Sequence, residues 1–375
     1  MKLAVVRRKY NPYGGAERFL ESLRTQLMER DISVSVIAET WKTVDYESDS
    51  VVKIKASGFF RSTRFRSFSQ NAQTFLTNQQ FDLIQSHERL TGVDIYRLGD
   101  GIHAAWLERC ARVSGSAKTL LRKIDSYNRA VIMTESQMAM DDRLHFVATS
   151  QLVLEELKSF YNVPEDRIFT IPNGVDVRRF SPATSDQKTQ AREALGIPQS
   201  ALVVGFVGSD FTRKGLWPLA RAIMMSRDLY LVVAGRDSSS EKLNKLISDA
   251  GVKSSIRYLG PVDNVLSLLW ASDVFALPSL YEPSSNAILE AMACGLPIVC
   301  TESVGNANIV REQNCGYICD RDPESILEGL RYVLSSDRYE ALSANCLLAA
   351  KQIVQEPIID KWLKLYDTVL NKKSA

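Results

Sequence analysis

Short apolar, β-branched runs alternate with longer stretches of helical periodicity along most of the chain. LAVV at 3–6 leads into a helical pattern over 16–29 and then into VSVIA at 34–38; FDLIQS at 81–86, DIYRL at 94–98, HFVATS at 145–150 and IFTIPN at 168–173 continue the series. The grammar then restarts with ALVVGFVGS at 201–209, a helix over 215–226, YLVVAG at 230–235, a helix over 240–250, IRYLG at 256–260, VFALPS at 274–279, a helix over 284–294 and PIVC at 297–300. Strands that are apolar throughout and separated by helices predict parallel sheets covered on both faces. The expected architecture is α/β, with two facing doubly wound Rossmann-like domains and a ligand cleft outside the carboxyl ends of their strands.

Between the two series, FSPATSDQKTQAREALGIPQS is polar and rich in proline, as a linker with one entry helix would be. The domain boundary is expected near Val175 to Ala183, giving domains at 1–175 and 176–352. An amphipathic helix from about Ile353, with Trp362, Leu363 and Leu365, fills 353–375 and is expected to cross back onto the first domain.

With 375 residues, 45% apolar and 24% charged, the chain is long enough for two cores, and no apolar run approaches the length of a membrane span. The start MKLAVVRRKYNP reads as a first strand, because its basic residues follow the apolar ones instead of preceding them. Six cysteines without a CxxC pair, five of them between Cys294 and Cys346, favour neither a disulfide framework nor a zinc site and suit a reducing cytoplasm. A net charge of +2 argues against general nucleic-acid binding while leaving room for local basic patches.

Three loops carry candidate chemistry. In KYNPYGGAERF, Gly14 and Gly15 stand between strand and helix, where backbone can approach a phosphate or sugar, or simply turn. The spacing is not GxGxxG, so a nicotinamide dinucleotide is not indicated. In GFVGSDFTRKG, Arg213 and Lys214 follow the first strand of the second series; such a pair suits a diphosphate, or is a solvated loop pair. In YEPSSNAILEAMACGLPIV, Glu282 precedes a helix whose start is placed at Pro283 and Ser284, so that the N–H groups of Ser284, Ser285, Asn286 and Ala287 would form an anion site. Glu290 would then lie roughly 12 Å further along the axis. That exceeds the about 5 to 9.5 Å between glycosidase carboxylates. Either the pair grips the hexose and ribose ends of a nucleotide sugar, or Glu282 complements the helix dipole and Glu290 is solvated.

Together these segments resemble a retaining glycosyltransferase of the GT-B fold, family 4. The two glutamates stand in EPSSNAILE, the glycine loop in YGGAER, the interdomain motif in PNGVDVRRFSP and the basic site in FTRKG. KYNPYGGAERF and SDFTRKG are similar to the lipopolysaccharide-core glucosyltransferases. The resemblance implies UDP-glucose as donor, no metal or other cofactor, and a lipopolysaccharide or similar phosphorylated glycolipid acceptor. It also implies that Arg213 and Lys214 hold the diphosphate, Glu282 the hexose and Glu290 the ribose. Gly14 and Gly15 would lie close to the phosphates, with backbone from Ser285 through Asn286 to Ala287 completing the site.

On the acceptor side, RLGDGIHAAWLERC offers Asp100 and His103 to receive the acceptor hydroxyl proton, or else Asp100 serves a turn and His103 is a satisfied structural group. Many relatives read EGFGLVLLE where this chain has EPSSNAILE, which alters the floor beneath the sugar; Asn308 replaces an acid found in relatives. A capsule or O-antigen transferase using UDP-galactose, a UDP-N-acetylhexosamine or a GDP-sugar, and a non-catalytic nucleotide-sugar-binding subunit, are the alternatives. DRD at 320–322 spells the DxD of metal-dependent transferases but sits where aspartates cap helices.

FFRSTRFRSF at 59–68 interleaves four phenylalanines with Arg61, Arg64 and Arg66, and a second basic stretch runs from Trp106 through Arg109, Arg112, Lys118, Arg122 and Lys123 to Arg129. Both suit an anionic lipid surface or a phosphorylated sugar acceptor, or are partly buried loops with solvated arginines. The expectation is peripheral attachment to the cytoplasmic face of the inner membrane.

Overall fold

The computed structural model describes residues 1–9, 15–41, 51–249 and 255–374. The chain divides into two compact units, Met1–Pro172 with Glu356–Ala375, and Asn173–Gln355.

The first unit is built on β1 (Lys2–Val6), β2 (Ser33–Ala38), β3 (Val51–Lys53), β4 (Leu83–Ser86), β5 (Ile95–Arg97), β6 (His145–Ala148) and β7 (Ile168–Thr170). They form a parallel sheet in the order β3-β2-β1-β4-β5-β6-β7. β3 has no counterpart in the sequence reading; its three residues are half-buried or exposed at the sheet edge, too short a run for periodicity to detect. The last helix, Gln355–Ser374, belongs to this unit, with Ile358, Ile359, Trp362, Leu365, Tyr366 and Val369 buried. Its Tyr366 hydroxyl donates to Gln85 Oε1 at 2.7 Å, satisfying two buried polar groups at once.

The second unit holds β8 (Leu202–Val207), β9 (Leu229–Ala234), β10 (Ile256–Tyr258), β11 (Val274–Leu277), β12 (Ile298–Thr301) and β13 (Gly316–Cys319), parallel in the order β10-β9-β8-β11-β12-β13. Val203, Val204 and Phe206 of β8 and all four residues of β11 are fully buried, as central strands covered on both faces must be. The order reverses between β8 and β11, and in such sheets ligands lie beyond the strand ends at the reversal.

Two helix boundaries differ from the sequence reading. The helix expected over 215–226 is two, Phe211–Lys214 and Leu216–Met224, broken at Gly215 with φ of +81°. A Cβ there would lie 2.0 Å from the carbonyl oxygen of Pro278, so only glycine fits. The helix expected from Ser284 begins at Asn286. Pro283 does not open it; Ser285 caps it, its hydroxyl accepting from the Ile288 N–H at 3.3 Å.

Candidate active site

β8 is followed by Gly208-Ser209-Asp210, and Asp210 enters the left-handed region at φ of +59° to cap the short helix beyond it. This turn brings Arg213 and Lys214 back over the strand end. The Lys214 side chain lies across Gly208, where a Cβ would stand 2.4 Å from its Cδ. Arg213 Nε donates to Asp210 Oδ2 at 3.1 Å, and its Nη1 donates to Tyr281 O at 2.8 Å and Glu282 Oε2 at 3.0 Å. Lys214 Nζ reaches the same Glu282 oxygen at 3.1 Å.

Glu282 is buried and pinned through its backbone. Its N–H donates to Ser303 O at 3.0 Å, its carbonyl accepts from Gly305 at 2.7 Å, and it forms a bridge with Val304. Burial pushes its carboxyl pKa up, but Lys214 and Arg213, by charge and hydrogen bond, outweigh this and hold it below the ordinary value. Arg213 is the mirror case: burial lowers its pKa, while Glu282 and Asp210 raise it further.

The cations thus come with counter-charges of their own, which the sequence reading did not foresee. Glu282 orders both of them before it meets any ligand. Among the described residues Arg213 Nη2 makes no hydrogen bond, and Lys214 Nζ has hydrogens beyond its pairing with Glu282.

The helix Asn286–Ala293 follows, and its opening is tied on two sides. The Ser285 N–H donates to Asn306 Oδ1 at 2.6 Å, so this amide is already committed and is not part of an anion cradle. Asn286 Oδ1 accepts from Asn173 Nδ2 at 2.6 Å, linking the PNGVD segment to the helix start. Asn286 and Ala287 occupy the first turn, where N–H groups have no partner within the helix. Glu290 is buried one turn further on, its charge close enough to Cys294 to help burial push that thiol up to about 12. The eight-residue spacing is therefore a non-helical passage plus one helical turn, so the 12 Å helical rise from Glu282 to Glu290 does not apply.

Asn306, buried at the start of the helix Ala307–Glu312, was missed by the sequence reading, which turned to Asn308 two residues on. Asp322 of the DRD segment caps the helix Pro323–Leu334, accepting from the Ser325 N–H at 2.9 Å. Among the described residues, no group of three or more His, Cys, Asp or Glu is placed to hold a metal ion.

In the first unit, Gly14 lies outside the described residues and Gly15 opens the helix Gly15–Met28. After β5, Asp100 accepts from Arg7 Nη1 at 3.1 Å while its side chain stays 45% exposed. The surrounding protein raises its pKa, but Arg7, Arg89 and Arg97 prevail and hold it below the usual carboxylate range. His103 is the first residue of the helix His103–Val113, and its Nε2 lies 3.0 Å from Asn128 Oδ1. Asn128 Nδ2 donates to Arg122 O, which turns its oxygen toward the ring and assigns the proton to Nε2. Burial and then Arg89 lower the His103 pKa, so the ring is neutral near pH 7 and Nδ1 is its acceptor atom.

Of the four phenylalanines at 59–68, Phe65 and Phe68 are buried, while Phe59 and Phe60 are 95% and 67% exposed. Arg61 stacks over the Tyr127 ring at 4.2 Å. The nearby helix Ser116–Ile124 exposes Leu120, Leu121 and Ile124. No helix among the described residues is long and apolar enough to cross a membrane.

Two family models match the chain: "Glycosyltransferase Family 4" over residues 13–179 and "Glycosyl transferases group 1" over residues 187–351. The chain is 26% identical to a D-inositol 3-phosphate glycosyltransferase of Corynebacterium urealyticum, over 86% of this chain and 83% of that protein. It is 23% identical to the lipopolysaccharide glucosyltransferase WaaG of Escherichia coli strain K12, over 87% of this chain and 88% of that one. A WaaG crystal structure superposes with a TM-score of 0.83 at 22% identity, covering 98% of this chain and 99% of that chain, which shows the GT-B fold. Anabaena Alr3699/HepE in complex with UDP-glucose superposes with a TM-score of 0.74 at 17% identity, over 98% of this chain and 100% of that chain.

Proposed function

Because the chain belongs to the family 4 glycosyltransferases, we propose that it is a retaining hexosyltransferase moving glucose from UDP-glucose to a lipopolysaccharide core or similar phosphorylated glycolipid. The observation that carries this reading is the convergence of Arg213 and Lys214 on the buried Glu282 beyond β8 and β11. It supplies fixed cations for a diphosphate and a fixed carboxylate beside them for sugar hydroxyls, with Glu290 deeper in the helix for the ribose. The relatives named for lipopolysaccharide glucosylation and the HepE complex with UDP-glucose support the donor and acceptor classes.

In this reading the second unit binds the donor and the first unit the acceptor. Displacement proceeds on one face of the sugar. The bond from C1 to the diphosphate oxygen breaks with its electron pair, the bond from the acceptor oxygen to C1 forms, and the acceptor proton passes to the departing diphosphate. Arg213 and Lys214 stabilise the charge that develops there. His103 Nδ1 orients the acceptor hydroxyl by accepting its hydrogen bond, and Asp100, held by Arg7, binds a neighbouring hydroxyl. The exposed Phe59 and Phe60, with Leu120, Leu121 and Ile124 among basic residues, attach the protein peripherally to the cytoplasmic face of the inner membrane.

The test is a donor panel read by thermal shift, followed by turnover with purified truncated lipopolysaccharide. UDP-glucose is expected to give both the largest shift and transfer with retained configuration. A larger shift and faster transfer with another donor would reassign the sugar, and shifts without transfer to any acceptor would make the protein a nucleotide-sugar binder.

A further inference from the structure

We infer that Glu135, a buried carboxylate on the helix Ser126–Met140, is the positioning residue that holds the loop from Leu98 to His103 in its working shape. The inference rests on the reading of Asp100 and His103 as acceptor-side groups.

Three donors from three parts of the first unit converge on this one carboxylate. Oε1 accepts from Arg89 Nε at 2.6 Å and from the His103 N–H at 2.9 Å, and Oε2 accepts from the Tyr161 hydroxyl at 2.7 Å. Arg89 continues the clamp, its Nη2 donating to the carbonyl of Gly101 at 3.0 Å. The turn is thereby gripped at both ends, by Arg89 at Gly101 and by Glu135 at His103. Asp100 leads into that turn and His103 leaves it.

Local sequence cannot supply this grip. The helix His103–Val113 begins after Ile102, which has no side-chain oxygen to cap it. Glu135 provides the missing acceptor from another helix, and its negative charge suits the positive end of the helix dipole. The same helix carries Asn128, which holds the His103 ring through Nε2. Backbone and ring of His103 are therefore both fixed by one element.

The charge of Glu135 also reaches the imidazole. The charged and polar groups around the ring are Arg89, Glu135, Asn128 and Arg61, with the Tyr127 ring packed edge-on against it at 6.2 Å; burial and the two arginines lower its pKa, while Glu135 and the hydrogen bond to Asn128 raise it. Replacing Glu135 by glutamine removes the counter-charge hydrogen-bonded to Arg89 and leaves it only the charge of Asp100. The His103 pKa then falls further, and the ring stays neutral to lower pH.

The experiment measures kcat, the KM for UDP-glucose and the KM for truncated lipopolysaccharide across pH for the full chain and for Glu135→Gln, Tyr161→Phe and His103→Ala. For Glu135→Gln, the acceptor KM is expected to rise about tenfold while the donor KM holds, because a slight misplacement of a positioned group is enough for that. The acidic limb of kcat/KM for the acceptor is expected to move to lower pH, which a loss of stability alone would not do. Tyr161→Phe keeps the charge and is expected to leave that limb in place. An unchanged acceptor KM and limb in Glu135→Gln, with His103→Ala impaired, would overturn the inference and spare the acceptor-side reading. A silent His103→Ala beside a raised acceptor KM in Glu135→Gln would remove the role of His103 and leave the clamp acting through Asp100. Silence in both would overturn both. Should Glu135→Gln not fold, Glu135→Asp keeps the charge at shorter reach: a raised acceptor KM with an unmoved limb supports the clamp, and an unchanged KM overturns it.

Discussion

Lys214 Nζ lies 3.1 Å from Glu282 Oε2, on the oxygen that Arg213 Nη1 also reaches. One buried carboxylate thus fixes two cations, and each partner constrains what the others can do when a substrate arrives. A diphosphate meets donors that are already oriented, and Glu282 meets the sugar as a charged group with one oxygen committed.

Replacing Glu282 by glutamine separates binding from transfer. The two cations lose a counter-charge, so UDP alone is expected to bind more tightly by a factor of a few, read by calorimetric titration. Transfer is expected to fall by roughly 10²-fold, because the sugar loses a charged partner in the transition state. Equal losses of UDP affinity and kcat would show instead that Glu282 merely holds the loop together.

Gly208→Ala attacks the same geometry without touching a charge. The added methyl enters the space taken by the Lys214 stem, which is flexible and moves aside cheaply. The melting temperature is expected to stay within about 2 °C, while kcat with saturating donor falls by roughly tenfold or more as the ammonium leaves its place. Full activity in a folded Gly208→Ala would remove Lys214 from the account.

The pairing also sets an acid limit to stability. The Glu282 pKa is lower folded than unfolded, so its contribution is complete above its unfolded value near 4.3 and is lost as pH falls through the folded one. Lys214→Met removes one cause of that depression. Its acid unfolding midpoint is expected to lie higher than that of the parent by about half a pH unit, followed by circular dichroism between pH 6 and 2. Coincident midpoints would show that the pair adds nothing to folding.

Much of this arrangement was legible in the chain. β8 and β11 were readable because a strand covered on both faces is apolar at every position; the role suggested for Arg213 followed from where such a strand ends, and that for Glu282 from its place before an expected helix start. What the sequence does not encode locally is that these two residues meet, since pairing across strand order is a property of the sheet. The start of the helix at Asn286 was misplaced because Pro283 satisfies the rule for a first turn, while the winning signal was the Ser285 cap with Asn306 behind it. Glu135 gave no signal at all: an acid in the middle of a helix reads as a solvated face until the fold brings three donors to it.

Asn306→Ala tests the tie that sets the start of the helix Asn286–Ala293. The Ser285 N–H is buried and loses its acceptor, which is expected to cost about 1–3 kcal/mol of stability in urea unfolding. Because that amide sets the helix opening that carries Asn286 and Ala287, the donor KM is expected to rise while the acceptor KM holds. A rise confined to the acceptor KM would separate this helix from donor binding.

The membrane prediction follows from which phenylalanines the fold leaves outside. Phe65 and Phe68 lie on the buried side of the helix Arg61–Thr77, so the aromatic-basic stretch divides into an anchoring half and an exposed half. Phe59 and Phe60 precede that helix, and Arg61 stacks on Tyr127, three residues beyond the exposed Ile124. Arg61 thus ties the segment that carries Phe59 and Phe60 to the helix that follows Leu120, Leu121 and Ile124. Each phenylalanine that enters an acyl layer contributes up to about 1.5–3 kcal/mol, and the basic residues add an attraction that salt screens. Flotation with vesicles containing phosphatidylglycerol is therefore expected to carry the protein up, less so as salt is raised. The double variant Phe59→Ser with Phe60→Ser is expected to weaken partition by at least about tenfold while transfer to a soluble truncated acceptor is kept. Equal flotation with neutral and anionic vesicles would remove the attachment, and a double variant that floats like the parent would move it away from these two side chains.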